Sequence, residues 1–86
     1  MENRIALLDI VVVEPSSVEA LNQILHNYSD YIIGRMGIPY RQRKVNLISI
    51  ALDAPSDAIS SLAGKAGMLK GVTVKANFAK LPEDKK

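Results

Sequence analysis

The chain has no cysteine, no tryptophan, a single phenylalanine and a single histidine. Without cysteine there is no disulfide, no thiolate metal site and no thiol nucleophile. With one Phe among 86 residues, 48% of them hydrophobic, the core must be aliphatic. One domain is expected, near the size at which a lone core becomes thin. Long apolar runs are missing as well. The run Ile5–Val13 is interrupted by Asp9, ends in Glu14-Pro15 and is followed by no small-residue cleavage site. It falls far short of the ~20 residues needed to span a bilayer. A cytoplasmic location without membrane contact is the expectation. Charge of one sign is also scarce, the formal net being +2. The one basic cluster, Arg41-Gln42-Arg43-Lys44, suits a solvated turn, so no direct DNA binding is expected.

What the chain does contain is a regular alternation of strand and helix signals. Ile5–Val13 is β-rich and nearly apolar on both faces, the pattern of a central strand. Ser16 and Glu19 have capping-box spacing, and Val18, Leu21, Ile24, Leu25 and Tyr28 follow as one helical face ending near 27–30. Tyr31–Tyr40 reads as a second strand, at an edge because Pro39 donates no ladder hydrogen bond. Val45–Leu52 is a third, more central strand. Asp53–Asp57 reads as a helix start, with Ala58, Ile59, Leu62, Ala63 and Ala66 as its buried stripe. Val72, Val74, Ala76 and Phe78 then alternate with polar neighbours in a half-buried fourth strand. The order βαββαβ predicts an α+β, ferredoxin-like two-layer sandwich over residues 1–80, with an antiparallel sheet in the order 4-1-3-2. Residues 81–86 read as a frayed tail.

The glycine-rich stretch "LAGKAGMLKGVTV" is the most motif-like segment. A phosphate loop needs its glycines before a helix, where free amides and the positive dipole end meet the anion. Here they follow one. Gly67 reads as the left-handed residue closing helix two, and Gly71 as the turn into strand four. Gly64–Gly67 also matches the GxxG of KH domains, which clamp single-stranded RNA, but that module needs a helix after the loop. Gly64 shares a helix face with Asp57, Ser60 and Ser61. This face is either an unremarkable polar surface or one whose small side chains admit a second chain closely.

Helices on one face of such a sheet leave the other bare. Ile5, Leu7, Val11 and Val13, with Val45, Leu47, Ser49 and Ala51 of strand three, would line it. Contiguous apolar patches of this kind mark interfaces, so a homo-oligomer, dimer or tetramer, is expected. The interface residues are Ile5, Leu7, Val11, Val45 and Leu47, with Ser60 and Gly64 on a second surface. Asp9 lies within the bare face, either paired with a basic group of another subunit or as a charge at a solvent gap.

No catalytic constellation is visible, so no enzyme, cofactor or metal site is expected. The segments "LHNYSDYIIGRMGIPYR" and "NLISIALDAPSDAISSLAGKAGMLKGVTVKA" resemble the family of iron-only hydrogenase system regulators. The resemblance runs from Arg4 to about Lys80. It implies a free-standing ACT-like domain, similar to the effector domain of the nickel-responsive repressor, acting in regulation and sensing a ligand at subunit contacts. That repressor's ligands are a helix-one His, an H-x-H on strand two and a Cys near strand three. Here His26 matches the first, while Gly37, Pro39 and Val45 stand at the others, so a nickel site is not expected. The DNA-binding segment of that repressor is not expected here, so regulation of transcription would need a partner or another mode of contact.

Gly34 and Gly37 interrupt strand two with Arg35 between them, facing opposite to Gly34 and Met36. A glycine inside a strand marks a bulge or a close approach. An anion- or carboxylate-bearing effector is expected at a subunit contact formed by this strand, with His26, Asn27 and Tyr28 as one wall. A bulged edge with a solvated Arg is the plainer reading. The function expected is a small non-enzymatic, effector-sensing regulatory protein. The alternative is an assembly subunit or maturation accessory without a ligand, and RNA binding through GxxG is a third.

Overall fold

In the computed structural model, which describes residues 2–82, strand β1 (Asn3–Val12) carries nearly the whole core on one of its faces. Ala6, Leu8, Ile10 and Val12 alternate inward and are all buried. The strand can be this apolar because it is paired on both sides. It runs antiparallel to β3 (Val45–Pro55), with Leu8 opposite Ile50, and antiparallel to β4 (Val72–Phe78), with Leu8 opposite Ala76. Strand β2 (Ile32–Tyr40) joins the outer side of β3. The sheet order is β2-β3-β1-β4, which from the other edge reads 4-1-3-2, as expected. Pro39 sits on an edge strand, where its missing N–H breaks no central ladder.

Two helices, α1 (Val18–Asn27) and α2 (Ser56–Gly67), cover one sheet face. Leu21 and Leu25 of α1, and Ile59, Leu62 and Ala66 of α2, are buried against Leu8, Ile10, Ile50 and Leu52. These are the predicted stripes, and the result is a small α+β domain with a four-stranded antiparallel sheet. Among the described residues, no helix is long and apolar enough to cross a membrane.

Several local expectations are corrected. Ser16 and Glu19 form no capping box. Glu14 caps a short 3-10 turn over Pro15–Ser17 instead, accepting from Ser16 N at 3.2 Å and Ser16 Oγ at 2.8 Å. These bonds hold the Glu14 carboxyl below its ordinary pKa. Ser17 is buried and donates to the Lys70 carbonyl at 2.6 Å. Tyr31 belongs to a 3-10 turn rather than to β2. Asp53, Ala54 and Pro55 are strand, not helix start, because β1 reaches far enough to pair with them through Ile5, Arg4 and Asn3.

Gly67 is not left-handed, and α2 closes through Met68 in ordinary helical geometry. Gly71 is left-handed, with φ +70°, at the turn into β4. Of the predicted tail, Leu81 is half-buried and Pro82 exposed, while 83–86 lie outside the described residues.

Candidate functional site

The sheet face opposite the helices is open and largely apolar. Leu7, Val11, Met36, Ile38 and Leu47 are exposed there. The register gathers them: Leu47 stands opposite Val11 on one side and Ile38 on the other, and Ser49 stands opposite Asp9 and Met36. A groove of about 250 Å³ runs between them, its lining including Asp9, Val11, Met36, Ile38, Leu47 and Ser49. The Ser49 hydroxyl donates to Asp9 Oδ1 at 3.1 Å. Lys75 of β4 is the cross-strand neighbour of Asp9. The face is thus apolar toward β2 and polar toward β4, with the carboxylate between.

The predicted interface residues divide between two surfaces. Ile5, Leu7, Val11, Val45 and Leu47 alternate onto this open face, Ile5 and Val45 half-buried and the rest exposed. Ser60 and Gly64 lie on the solvent side of α2, on the other side of the molecule, where a Cβ on Gly64 would meet nothing within 4 Å.

The predicted effector residues also separate. The ladder sets Gly34 opposite Ala51 on the open face, while Arg35 stands opposite Ile50 and Gly37 opposite Ile48 on the helix side. A bulge at Ile33 precedes them, since Ile32 and Gly34 are partnered by consecutive residues of β3. Arg35 Nη2 donates to Asn22 Oδ1 of α1 at 2.7 Å. The two line a groove of about 220 Å³, with Val18, Gly37, Pro39, Asn46 and Ile48 among its other walls.

His26, Asn27 and Tyr28 do not form a wall of this groove. The start of α1 lies over β2, and its end turns toward α2. The Tyr28 hydroxyl shares a 3.0 Å hydrogen bond with Ser61 Oγ, and the Lys65 ammonium lies 5.2 Å from its ring centre. The bond from Ser61, then that from Lys65, favours the phenolate and lowers the Tyr28 pKa. His26 and Asn27 are exposed. Asn22 and Asn46 were not anticipated. The helical spacing of Asn22 from Val18, and the hairpin register that sets Asn46 opposite Pro39, were the signals that could have found them.

The family model described as "TM1266-like: Iron-only hydrogenase system regulator, putative" matches residues 4–76, from β1 into β4 and across both grooves. The chain belongs to this TM1266-like family. Among solved structures it is similar to the uncharacterized protein TM1266 from Thermotoga maritima, with 36% identity and a TM-score of 0.88. That match covers 92% of this chain and 100% of the other. No curated protein matches. In this member of the TM1266-like family the GxxG residues Gly64 and Gly67 lie within α2. The loop that a KH-type clamp requires is therefore not formed there. Gly37, Pro39 and Val45 of the nickel comparison sit in the β2–β3 hairpin, while His26 is on the last turn of α1.

Proposed function

We propose that this TM1266-like protein is a small, non-enzymatic regulatory module that works in the cytoplasm as a homo-oligomer and senses a small effector. The observation that carries the reading is the open sheet face. Fully burying one large aliphatic side chain is worth roughly 1.5–3 kcal/mol. Leu7, Val11, Met36, Ile38 and Leu47 keep 36–57% of their surface in water. A second copy covering this face recovers what is left from both partners at once. It offers a continuous apolar contact against the cost of association, about 4–15 kcal/mol.

Self-complementarity favours a second copy as the occupant. Asp9 and Lys75 carry opposite charges side by side on the same face. A twofold axis through the face then brings each acid toward a base of the other chain. The order βαββαβ supports a ferredoxin-like, ACT-like description of the subunit. The outer face of α2, with Ser60 and Gly64, offers a second contact and thereby a dimer of dimers. The family description supports a regulatory role in an iron-only hydrogenase system. Because the basic residues are scattered, we take that role to run through a protein partner rather than through direct DNA contact.

The test is light scattering coupled to size exclusion on wild type and Leu47→Glu. Leu47 is exposed in the folded chain, so the variant leaves the fold intact by circular dichroism and dissociates the oligomer. A wild-type monomer at tens of micromolar overturns the reading. An assembly subunit without an effector would share the interface and show no ligand response.

A further inference from the structure

We infer that the groove between α1 and β2 is the effector site, and that it takes a small organic carboxylate whose anion is held by Arg35. This inference rests on the effector-sensing reading above and names its site and ligand chemistry. Arg35 carries five N–H donors in a planar fork, and the structure gives it one side-chain partner, the neutral Asn22 Oδ1 at 2.7 Å. Among the described residues, no carboxylate lies within ion-pair distance of it. A bidentate anion is what this fork is shaped to bind. Asn22 holds the side chain over the groove, and so reduces the entropy lost on binding.

Two further features point to a ligand. Asn46 lines the same groove, is half-buried, and makes no side-chain hydrogen bond among the described residues. A carboxamide left this way offers a donor and an acceptor to a polar group a few atoms from the carboxylate. Between Arg35 and Asn46 the wall is apolar: Val18, Pro39 and Ile48, with Gly37 opposite Ile48. A Cβ on Gly37 would meet nothing within 4 Å, so the glycine leaves space without being demanded by packing. A basic end at Arg35, a polar end at Asn46 and an apolar middle describe a short-chain carboxylate with a hydroxyl or carbonyl group. The groove adjoins a second one, lined by Pro39, Asn46, Arg41 and Lys44, whose cations add a positive field.

The position also couples ligand to assembly. Ile38 and Ile48 line both this groove and the open-face groove on the other side of the sheet. Strand β2 is an edge strand with one neighbour, so a shift of it on ligand binding reaches both surfaces.

The experiment is a thermal-shift and calorimetric titration of the full chain at constant ionic strength. The probes are butyrate, 4-hydroxybutyrate, valerate and 4-oxovalerate, with butyramide and butylamine as controls. Saturable stabilisation by the carboxylates, stronger for the hydroxy and oxo acids and absent for the amide and amine, is expected. Arg35→Met, which keeps an unbranched chain on the groove wall, raises the apparent Kd about tenfold or more. Gly37→Val fills the middle of the groove and also abolishes binding. Arg43→Met, a loss of charge outside the groove, leaves binding unchanged. No saturable response to any carboxylate, an equal response to the amide, or an Arg35→Met protein that binds as wild type overturns the inference. Light scattering on the same samples separates the two readings. An oligomer that ignores every carboxylate overturns this site alone, and a monomer that binds them overturns the oligomer alone.

Discussion

The corner at Gly71 shows most directly how single residues hold this fold. Its φ of +70° is one that side chains rarely adopt. A Cβ there would lie 2.6 Å from Glu14 Cβ and 3.0 Å from Glu14 N. The neighbouring bonds, Val13 N to Gly71 O at 2.8 Å and Ser17 Oγ to Lys70 O at 2.6 Å, keep the two segments from parting. Gly71→Ala therefore suffers both a left-handed penalty and a backbone clash. It should lose about 2–4 kcal/mol in urea unfolding. Tyr28 makes a second residue-scale prediction. Its pKa is lowered in the folded state, so the phenolate is the better-bonded form. The stabilisation from this ionisation is fully present above the unfolded value near 10 and vanishes as pH falls through the folded value. Compared with Tyr28→Phe, wild type should gain stability as pH rises into this range and show no such gain at neutral pH. The phenolate absorbance missing from the variant should titrate below the ordinary tyrosine range.

At the scale of elements, α2 carries a glycine that nothing in its own chain requires. Gly64 sits inside the helix with open space where a Cβ would be, and its φ is not positive. In the Leu47→Glu background, diluted until it is monomeric, Gly64→Ala should stabilise the protein by up to about 1 kcal/mol, the helix-propensity difference. In the wild-type background the added methyl should weaken the proposed α2 contact. Light scattering would then show a dimer where wild type forms a tetramer. A stabilised protein of unchanged assembly would remove Gly64 from the interface and leave the open sheet face as the sole contact. Strand β2 is the complementary case. Its bulge at Ile33 turns Arg35 toward α1 while keeping Met36 and Ile38 on the open face. One strand thereby serves two surfaces.

At the scale of the whole molecule, apolar surface is distributed unevenly. The helix side is sealed around Leu8, Ile10, Ile50 and Leu62, and the other side keeps Leu7, Val11 and Leu47 exposed. In the homo-oligomer proposed above, such a subunit draws part of its stability from association. Its melting temperature should rise with protein concentration in wild type and stay constant in Leu47→Glu. The charge distribution makes the remaining prediction. A net charge of +2 without a basic stripe offers few phosphate contacts. Duplex DNA should bind weakly, and a steep fall of affinity with salt would contradict this.

Much of this was legible in the chain itself. The element order, the two buried helix stripes and the bare second sheet face follow from periodicity, which depends on neighbours three or four apart in a helix and two apart in a strand. The edge position of Pro39 follows from its missing N–H. Gly71 was legible as a turn, because a glycine between a helix and a strand leaves few other roles. Tertiary structure alone decided where elements end and which side chains meet. Asp53–Pro55 became strand because β1 was long enough to pair with them, and Gly67 stayed helical because Gly71 made the turn. His26, Asn27 and Tyr28 adjoin β2 in sequence, yet Tyr28 is drawn to Ser61 and Lys65 of α2. Arg35 meets Asn22, thirteen residues away, because α1 folds back over the strand that follows it. Local periodicity sets which face a residue occupies. Its partners on that face are set by how the elements cross, and that angle is not written in any one segment.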